Sequence, residues 1–200
     1  MKRITISELL KQPEKMSRFY SDLKSGAVAI IPTDTLYGFA VDSNSPAAVA
    51  RVYEIKNRSE KKPLILFLSD SKKLSKIGIS IDEEQKSLLE KHWPGALTCI
   101  FNTPQTHGLK GFKYPSLGIR IPAHRKLLKL IAGYEGMLLT TSANRSGQPS
   151  NPDPEKLCAE FSQEIDWLIE DGKLPESEAS TVVDLVSRPF KVLRQGAVKI

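Results

Sequence analysis

Apolar residues along the chain follow two spacings, and the switches between them outline the elements. From residue 5 to residue 25, Ile6, Leu9, Leu10, Met16, Phe19, Tyr20 and Leu23 fall at helical intervals. Pro13 breaks that face into two short helices. "AVAIIPT" (27–33) reads as a buried strand and "YGFAVD" (37–42) as a second one. "SPAAVARVYEIKNR" (45–58) is a helix, with Ser45 as N-cap and Pro46 at its first position. "PLILFLSD" (63–70) is a strongly buried strand, and "SIDEEQKSLLEKHW" (80–93) a helix with acids in its first turn. "ALTCIFN" (96–102) and "SLGIRIPAH" (116–124) are strands, "RKLLKLIAGY" (125–134) a short helix, and "GMLLTTSAN" (136–144) a strand ending in small polar residues. "DPEKLCAEFSQEI" (153–165) is helical, and "DWLIEDG", "STVVDLV" and "KVLRQGA" are short strands.

Helices and strands alternate through most of the chain and strands cluster at its end. The expected fold class is therefore α/β: a twisted, open, mixed sheet with helices. No internal repeat or low-complexity linker is visible, and "DGKLPESEAS" is too short to separate domains. A single domain over residues 1–200 is expected. One stretch resists a purely structural account. In "IPTDTLYGFAVD" a proline and three small polar residues, Thr33, Asp34 and Thr35, separate two strand-like runs. The segment reads either as a hairpin turn or as backbone shaping a pocket.

Composition bounds the possibilities. The chain is 40% hydrophobic and 26% charged, as a soluble globular protein with a real core would be. No apolar run approaches the roughly 20 residues needed to span a bilayer. The polar start "MKRITISELLKQ" lacks the features of a signal peptide. Cys99 and Cys158 are far apart and imply neither a disulfide framework nor a zinc site. The chain thus reads as cytosolic, with no membrane partner. The formal net charge of +6 is unevenly spread. No Asp or Glu occurs from Lys91 to Tyr134, whereas Lys91, Lys110, Lys113, Arg120, Arg125, Lys126 and Lys129 do. From Asp153 to Asp184 acids dominate. An acid-free middle segment suits an anionic ligand; chance clustering on solvated faces fits the same counts.

A covalent nucleophile finds no support. There is no GxxxxGK[ST] phosphate loop, GxGxxG fingerprint or GxSxG elbow. His92, His107 and His124 show no metal spacing; His92 sits late in a helix, His107 in a loop, and His124 at a strand end. What remains are strand ends bearing hydroxyls and basic groups, where open α/β sheets bind ligands. Four segments fit: "PTDTLYG" (32–38), "KNRSEKKP" (56–63), "TTSANRSGQPSN" (140–151), and "STVVDL" with "LRQG" (180–185 and 193–196). Each has an ordinary reading as well. Cations at a helix C-terminus suit its dipole, "SANRSG" can be a plain turn, and Arg194 a lone surface cation. The functional reading draws its strength from their agreement.

Taken together, these residues resemble the YrdC/Sua5 family. Its "PTDTxYG" stands at Pro32–Gly38, "KxR" at Lys56-Asn57-Arg58, "WPGxLT" at Trp93–Thr98, and "GxRxP" at Gly118–Pro122. "SxN" stands at Ser142–Asn144, "STVVD" at Ser180–Asp184, and "LRxG" at Leu193–Gly196, all in the family's order. The resemblance implies a YrdC-like sheet with a basic concave face. It also implies an activity: L-threonine, bicarbonate and ATP condense to threonylcarbamoyl-AMP and pyrophosphate. That product feeds t6A modification of tRNA through a separate transfer complex.

In this chemistry a carbamate oxygen attacks the α-phosphorus and pyrophosphate leaves, so catalysis rests on positioning and cations. The resemblance makes Lys56 and Arg58 the catalytic candidates toward the triphosphate; Lys62 joins them as a further cation of the same segment, not through the resemblance. It places Ser142, Asn144, Ser150 and Arg194 with Arg58 on the ATP side. Thr35, Arg120 and Ser180 fall on the threonine side, Arg120 toward the carboxylate. Mg²⁺ is expected to accompany ATP, with no protein ligand nominated for it. Asp34, a carboxylate in an anion pocket, is expected to bond backbone or orient Lys56. Two departures from the family pattern stand out: Ser59 where many members have proline, and Phe67 where many have a histidine on the threonine side. Competing readings are an RNA-binding module without synthase activity, using the basic face on tRNA or double-stranded RNA, a YciO-like paralogous branch with a less defined role, and a carbamoyl-transfer module.

Overall fold

The computed structural model describes residues 1–103 and 113–200. His107 and Lys110 lie outside the described residues. Among the described residues ten strands form one mixed sheet: β1 (Lys2–Thr5), β2 (Ala29–Ile31), β3 (Gly38–Asp42), β4 (Ile65–Phe67), β5 (Leu97–Asn102), β6 (Ser116–Arg120), β7 (Leu138–Ser142), β8 (Trp167–Glu170), β9 (Thr181–Asp184) and β10 (Lys191–Arg194). Their spatial order is β1-β8-β2-β3-β7-β4-β6-β5-β9-β10. Parallel pairs (β1·β8, β2·β8, β4·β6, β5·β9) mix with antiparallel ones. The expected α/β class with a mixed sheet is the one observed.

Both sheet faces are covered, which explains the continuous apolar runs of the central strands. Successive residues of a strand point to opposite faces. Val28, Ile30, Phe39 and Val41 accordingly join one core cluster, and Ala29, Ile31 and Ala40 the other. Over the first face lie residues of α3 (Pro46–Lys56), α5 (Glu83–His92) and α7 (Pro154–Phe161); over the second lie α1 (Ile6–Lys11), α2 (Pro13–Lys24) and α6 (Arg125–Gly133).

The helix starts obey local chemistry. Thr5 and Glu8 form a capping box on α1, and Asp82 and Gln85 one on α5. Pro13 opens α2, so the first amphipathic stretch is two helices as its proline requires. Ser45 caps α3, its Oγ accepting from Ala48 N at 3.3 Å. His124 Nδ1 accepts from Leu127 N at 3.1 Å, so this histidine caps α6.

Two elements escape the sequence pattern. Strand β1 occupies residues 2–5, read partly as helix, because its partner β8 comes more than 160 residues later (Lys2↔Trp167). The one-turn helix α4 (Lys73–Lys76) is too short to show a period. Among the described residues no helix is long and apolar enough to cross a membrane.

Sheet register brings the motif-bearing strand ends together. Gly38 of β3 lies opposite Ser142 of β7, and Phe67 of β4 pairs with Arg120 of β6. Gly38 is required by proximity: a Cβ there would meet Thr141 O at 3.0 Å. In the core beside this site Phe39 is fully buried and sits edge-on to Phe161, with centroids 5.1 Å apart. Phe39→Ala is expected to lower stability by about 3–5 kcal/mol. Urea unfolding checks this, and a loss below about 1 kcal/mol would contradict the packing described.

Candidate functional site

The cleft begins at the turn between β2 and β3. Thr33 organises it: its Oγ1 accepts from Thr35 N at 3.0 Å and Leu36 N at 3.1 Å, and donates to Leu36 O at 2.6 Å. These bonds use the one donor and both lone pairs of the Thr33 hydroxyl, which lies 3.1 Å from Thr35 Oγ1. Thr35 Oγ1 in turn accepts from Arg120 Nη1 at 3.0 Å. Both readings of this segment hold: β2 and β3 are antiparallel neighbours across a tight turn, and Thr33, Thr35 and Tyr37 also line a cleft.

Arg120 ends β6 and is only 4% exposed. Each of its nitrogens is engaged: Nε donates to Gly95 O at 2.9 Å, Nη1 to Thr35, and Nη2 to Asp34 Oδ1 at 2.6 Å. The expectation for Asp34 therefore needs correction. Its carboxylate pairs with Arg120 and not with Lys56, because a buried guanidinium is the nearest unmet charge. Burial lowers the Arg120 pKa and Asp34 opposes that drop, so the side chain stays cationic. Gly95 belongs to the "WPG" segment, which carries a cis Trp93–Pro94 bond and is anchored by Gly95 N donating to Ile121 O at 2.8 Å.

Across the cleft, Ser180 is 4% exposed and its Oγ lies 2.8 Å from Thr98 Oγ1. Arg194 Nη2 donates to Ser180 O at 2.7 Å. The turn after Arg194 packs so tightly that a Cβ on Gly196 would lie 2.1 Å from Ala179 O. Arg194 is itself accessible to solvent, yet its concave surround strips part of its hydration and lowers its pKa; the charges of Arg120 and Arg58 lower it further. The three guanidinium fields thus overlap.

Lys56 and Arg58 flank the end of α3. Asn57 adopts φ 48°, Asn57 N donates to Glu54 O at 2.9 Å, and Arg58 N donates to Tyr53 O at 2.9 Å. This is a Schellman ending, which turns the chain sharply after the helix. Lys56 is 1% exposed and does not line the cleft. Its ammonium donates to Ser142 O, to Asn144 O at 2.7 Å and to Asn144 Oδ1 at 3.0 Å, while its own carbonyl accepts from Ser146 N at 2.7 Å. Lys56 is the pin of the 142–146 segment. Ser142 Oγ donates to Asn144 Oδ1 at 2.6 Å, so its lone pairs are what it offers the cleft.

The resulting cleft measures about 120 Å³. Of the residues expected at the site, Thr35, Arg58, Arg120, Ser142, Ser180 and Arg194 line it. Lys56, Lys62, Asn144 and Ser150 are not among its lining side chains; Lys62 is exposed on the loop after α3. Lining residues that sequence reasoning did not single out include Ile65 and Ala179, while Thr140 of the 140–151 segment and Phe67, noted for departing from the family pattern, line it too. Phe67 lies under the Arg120 guanidinium, 6.0 Å from ring centroid to carbon. Only its position at the start of β4 could have flagged Ile65. His124 is not a lining residue; its Nε2 faces Asp171 Oδ2 at 3.3 Å.

Burial, and secondarily Arg58, pull the Lys56 ammonium down to about 7, while its three oxygen acceptors favour the charged form. The folded value lies below the unfolded 10.5, so between these two pH values the unfolded chain binds more proton. Stability assignable to Lys56 is expected to rise with pH across that window and to be flat below it. Urea unfolding of wild type and Lys56→Met at several pH values checks this; equal pH slopes in the two proteins would refute it.

The Sua5/YciO/YrdC family model, described as "Telomere recombination", matches residues 21–196. The chain is 31% identical over 184 residues to the threonylcarbamoyl-AMP synthase of Pyrococcus abyssi, covering 89% of this chain and 53% of that protein. It is 37% identical over 194 residues to the human threonylcarbamoyl-AMP synthase, covering 92% of this chain and 67% of that one. The chain therefore spans between half and two-thirds of these relatives' length. The crystal structure of P. abyssi Sua5 complexed with L-threonine superposes with a TM-score of 0.82 at 29% identity, covering 98% of this chain and 56% of that one. The cleft arginines and strand-end motifs all fall within the matched residues: this chain belongs to the Sua5/YciO/YrdC family.

Proposed function

We propose that the chain is an L-threonylcarbamoyl-adenylate synthase, a nucleotidyltransferase acting on L-threonine, bicarbonate and ATP. The observation that carries this reading is the convergence of Arg58, Arg120 and Arg194 on one cleft. The charges of Arg120 and Arg58 lower the proton affinity of Arg194, and among the described residues Asp34 pairs with Arg120 alone. Such a cleft suits several anionic groups at once, and this reaction assembles a carboxylate, a carbamate and a triphosphate. The names of the relatives, and the threonine held by P. abyssi Sua5, support the same substrates.

The amine of threonine and bicarbonate form a carbamate with loss of water. A carbamate oxygen then forms a bond to the α-phosphorus of ATP, and the bond to the bridging oxygen breaks to release pyrophosphate. Arg120 is the carboxylate partner: it bonds once through each nitrogen among the described residues, so each terminal nitrogen keeps a second N–H. Phe67 beneath it supplies an apolar floor for the amino-acid side chain. Arg58, with Lys62 on the same loop, takes the triphosphate, and Arg194 and Ser142 the rest of the nucleotide. Lys56 acts on the nucleotide side by holding Ser142 and Asn144.

Mg²⁺ enters as the counter-ion of ATP. An all-protein cage finds no donors here: no cluster of three His, Cys, Asp or Glu exists among the described residues, and Asp34 is committed to Arg120, so phosphate oxygens and water would supply most ligands.

Incubation with ATP, bicarbonate and each amino acid in turn, read by mass spectrometry, is expected to yield threonylcarbamoyl-AMP with threonine. Pyrophosphate release indifferent to threonine would overturn the reading, and salt-sensitive tRNA binding without ATP turnover would favour an RNA-binding module instead. Arg58→Ala is expected to lower kcat/KM for ATP by about 100-fold or more with the fold intact.

A further inference from the structure

The loop from Asn57 to Lys62 has almost no packing of its own. Asn57 and Ser59 through Lys62 are all exposed. A loop of this kind sits at the low-stability end of a structure unless something ties it down. Yet it carries Arg58, and the Arg58 guanidinium takes its bearing from the loop's own backbone: Nε donates to Lys62 O at 3.1 Å and Nη2 reaches Pro63 O at 3.5 Å. Wherever the 60–63 backbone goes, Arg58 goes.

Two tyrosines hold that backbone. Tyr53 OH donates to the same Lys62 O at 3.1 Å, and Tyr114 OH donates to Glu60 O. The two hydroxyl oxygens are 2.9 Å apart. Tyr53 is 5% exposed on α3, and its carbonyl accepts from Arg58 N. One residue therefore fixes Arg58 from both ends, the backbone through its carbonyl and the guanidinium through the Lys62 carbonyl. Tyr114, in the segment leading into β6, ties the loop to a second part of the sheet. Neither hydroxyl is among the groups lining the cleft.

We propose that Tyr53 and Tyr114 are positioning residues for Arg58, their hydroxyls, each bonded to a loop carbonyl, acting as a latch that holds the 57–63 loop in its ATP-binding form. This rests on Arg58 as an ATP contact. Displacing a charge-stabilising group by about an ångström is enough to weaken the interaction strongly.

The test is ATP affinity by titration calorimetry, in Tyr53→Phe, Tyr114→Phe and the double variant, each with and without Arg58→Ala. Phenylalanine keeps the ring and removes only the hydroxyl. Each single change is expected to weaken ATP binding about five-fold, the yield of one ordinary hydrogen bond, and the double change more. In the Arg58→Ala background the tyrosine changes are expected to have no further effect. Equal losses with and without Arg58 would mean a merely structural role and overturn the proposal, as would unchanged ATP affinity in the double variant. Arg58→Ala with wild-type ATP affinity would instead overturn the ATP role of Arg58, and the latch with it.

Discussion

A guanidinium taken out of water must have its charge and its N–H groups answered by protein, and Arg120 is where this chain meets that demand. The answers come from three separate segments: Asp34 and Thr35 of the β2–β3 turn, Gly95 of the "WPG" loop, and Phe67 of β4 under the charged plane. Burying such a pair is not in itself a source of stability, since desolvation offsets much of the attraction. What it yields is position. Each segment has a fixed partner, so the turn, the loop and two strand ends hold one arrangement around the cleft.

Lys56 meets the same demand differently. Its ammonium is answered by the carbonyls of Ser142 and Asn144 and the Asn144 side chain, with no carboxylate among them. The neighbouring Arg58 opposes its charge. Arg120 is a buried cation that keeps unspent N–H groups at the cleft, whereas Lys56 spends its donors inside the protein. The family pairs "KxR" with "SxN", and the geometry accounts for that pairing: the lysine of the first motif is the clamp on the second.

The remaining cations are left in excess. Arg58 and Arg194 enter the cleft through backbone carbonyl contacts, which orient a guanidinium without neutralising it. Mutual repulsion among such groups is relieved when an anion binds between them. The free site is therefore electrostatically incomplete in the sense that a triphosphate or carboxylate would correct. Mixed strand directions make this possible, since antiparallel β7 beside parallel β4 and β6 sets Ser142, Phe67 and Arg120 around one opening.

The sequence by itself determined the element types and the site motifs. Continuous apolar runs marked the two-faced central strands, Pro13, Ser45 and Pro46 marked helix starts, and the strand-end motifs named six residues that do line the cleft. These are local signals, set by spacing, capping and backbone restriction. Tertiary structure alone decided who answers whom. Nothing near Asp34 in the chain points to Arg120, 86 residues away, and nothing in "KxR" shows that Lys56 turns inward while Arg58 turns to the cleft. Strand β1 was hidden for the same reason, since its partner β8 lies near the other end of the chain. Charge pairing and burial depend on which segments the sheet brings together. That is a property of the assembled fold and not of any window of residues.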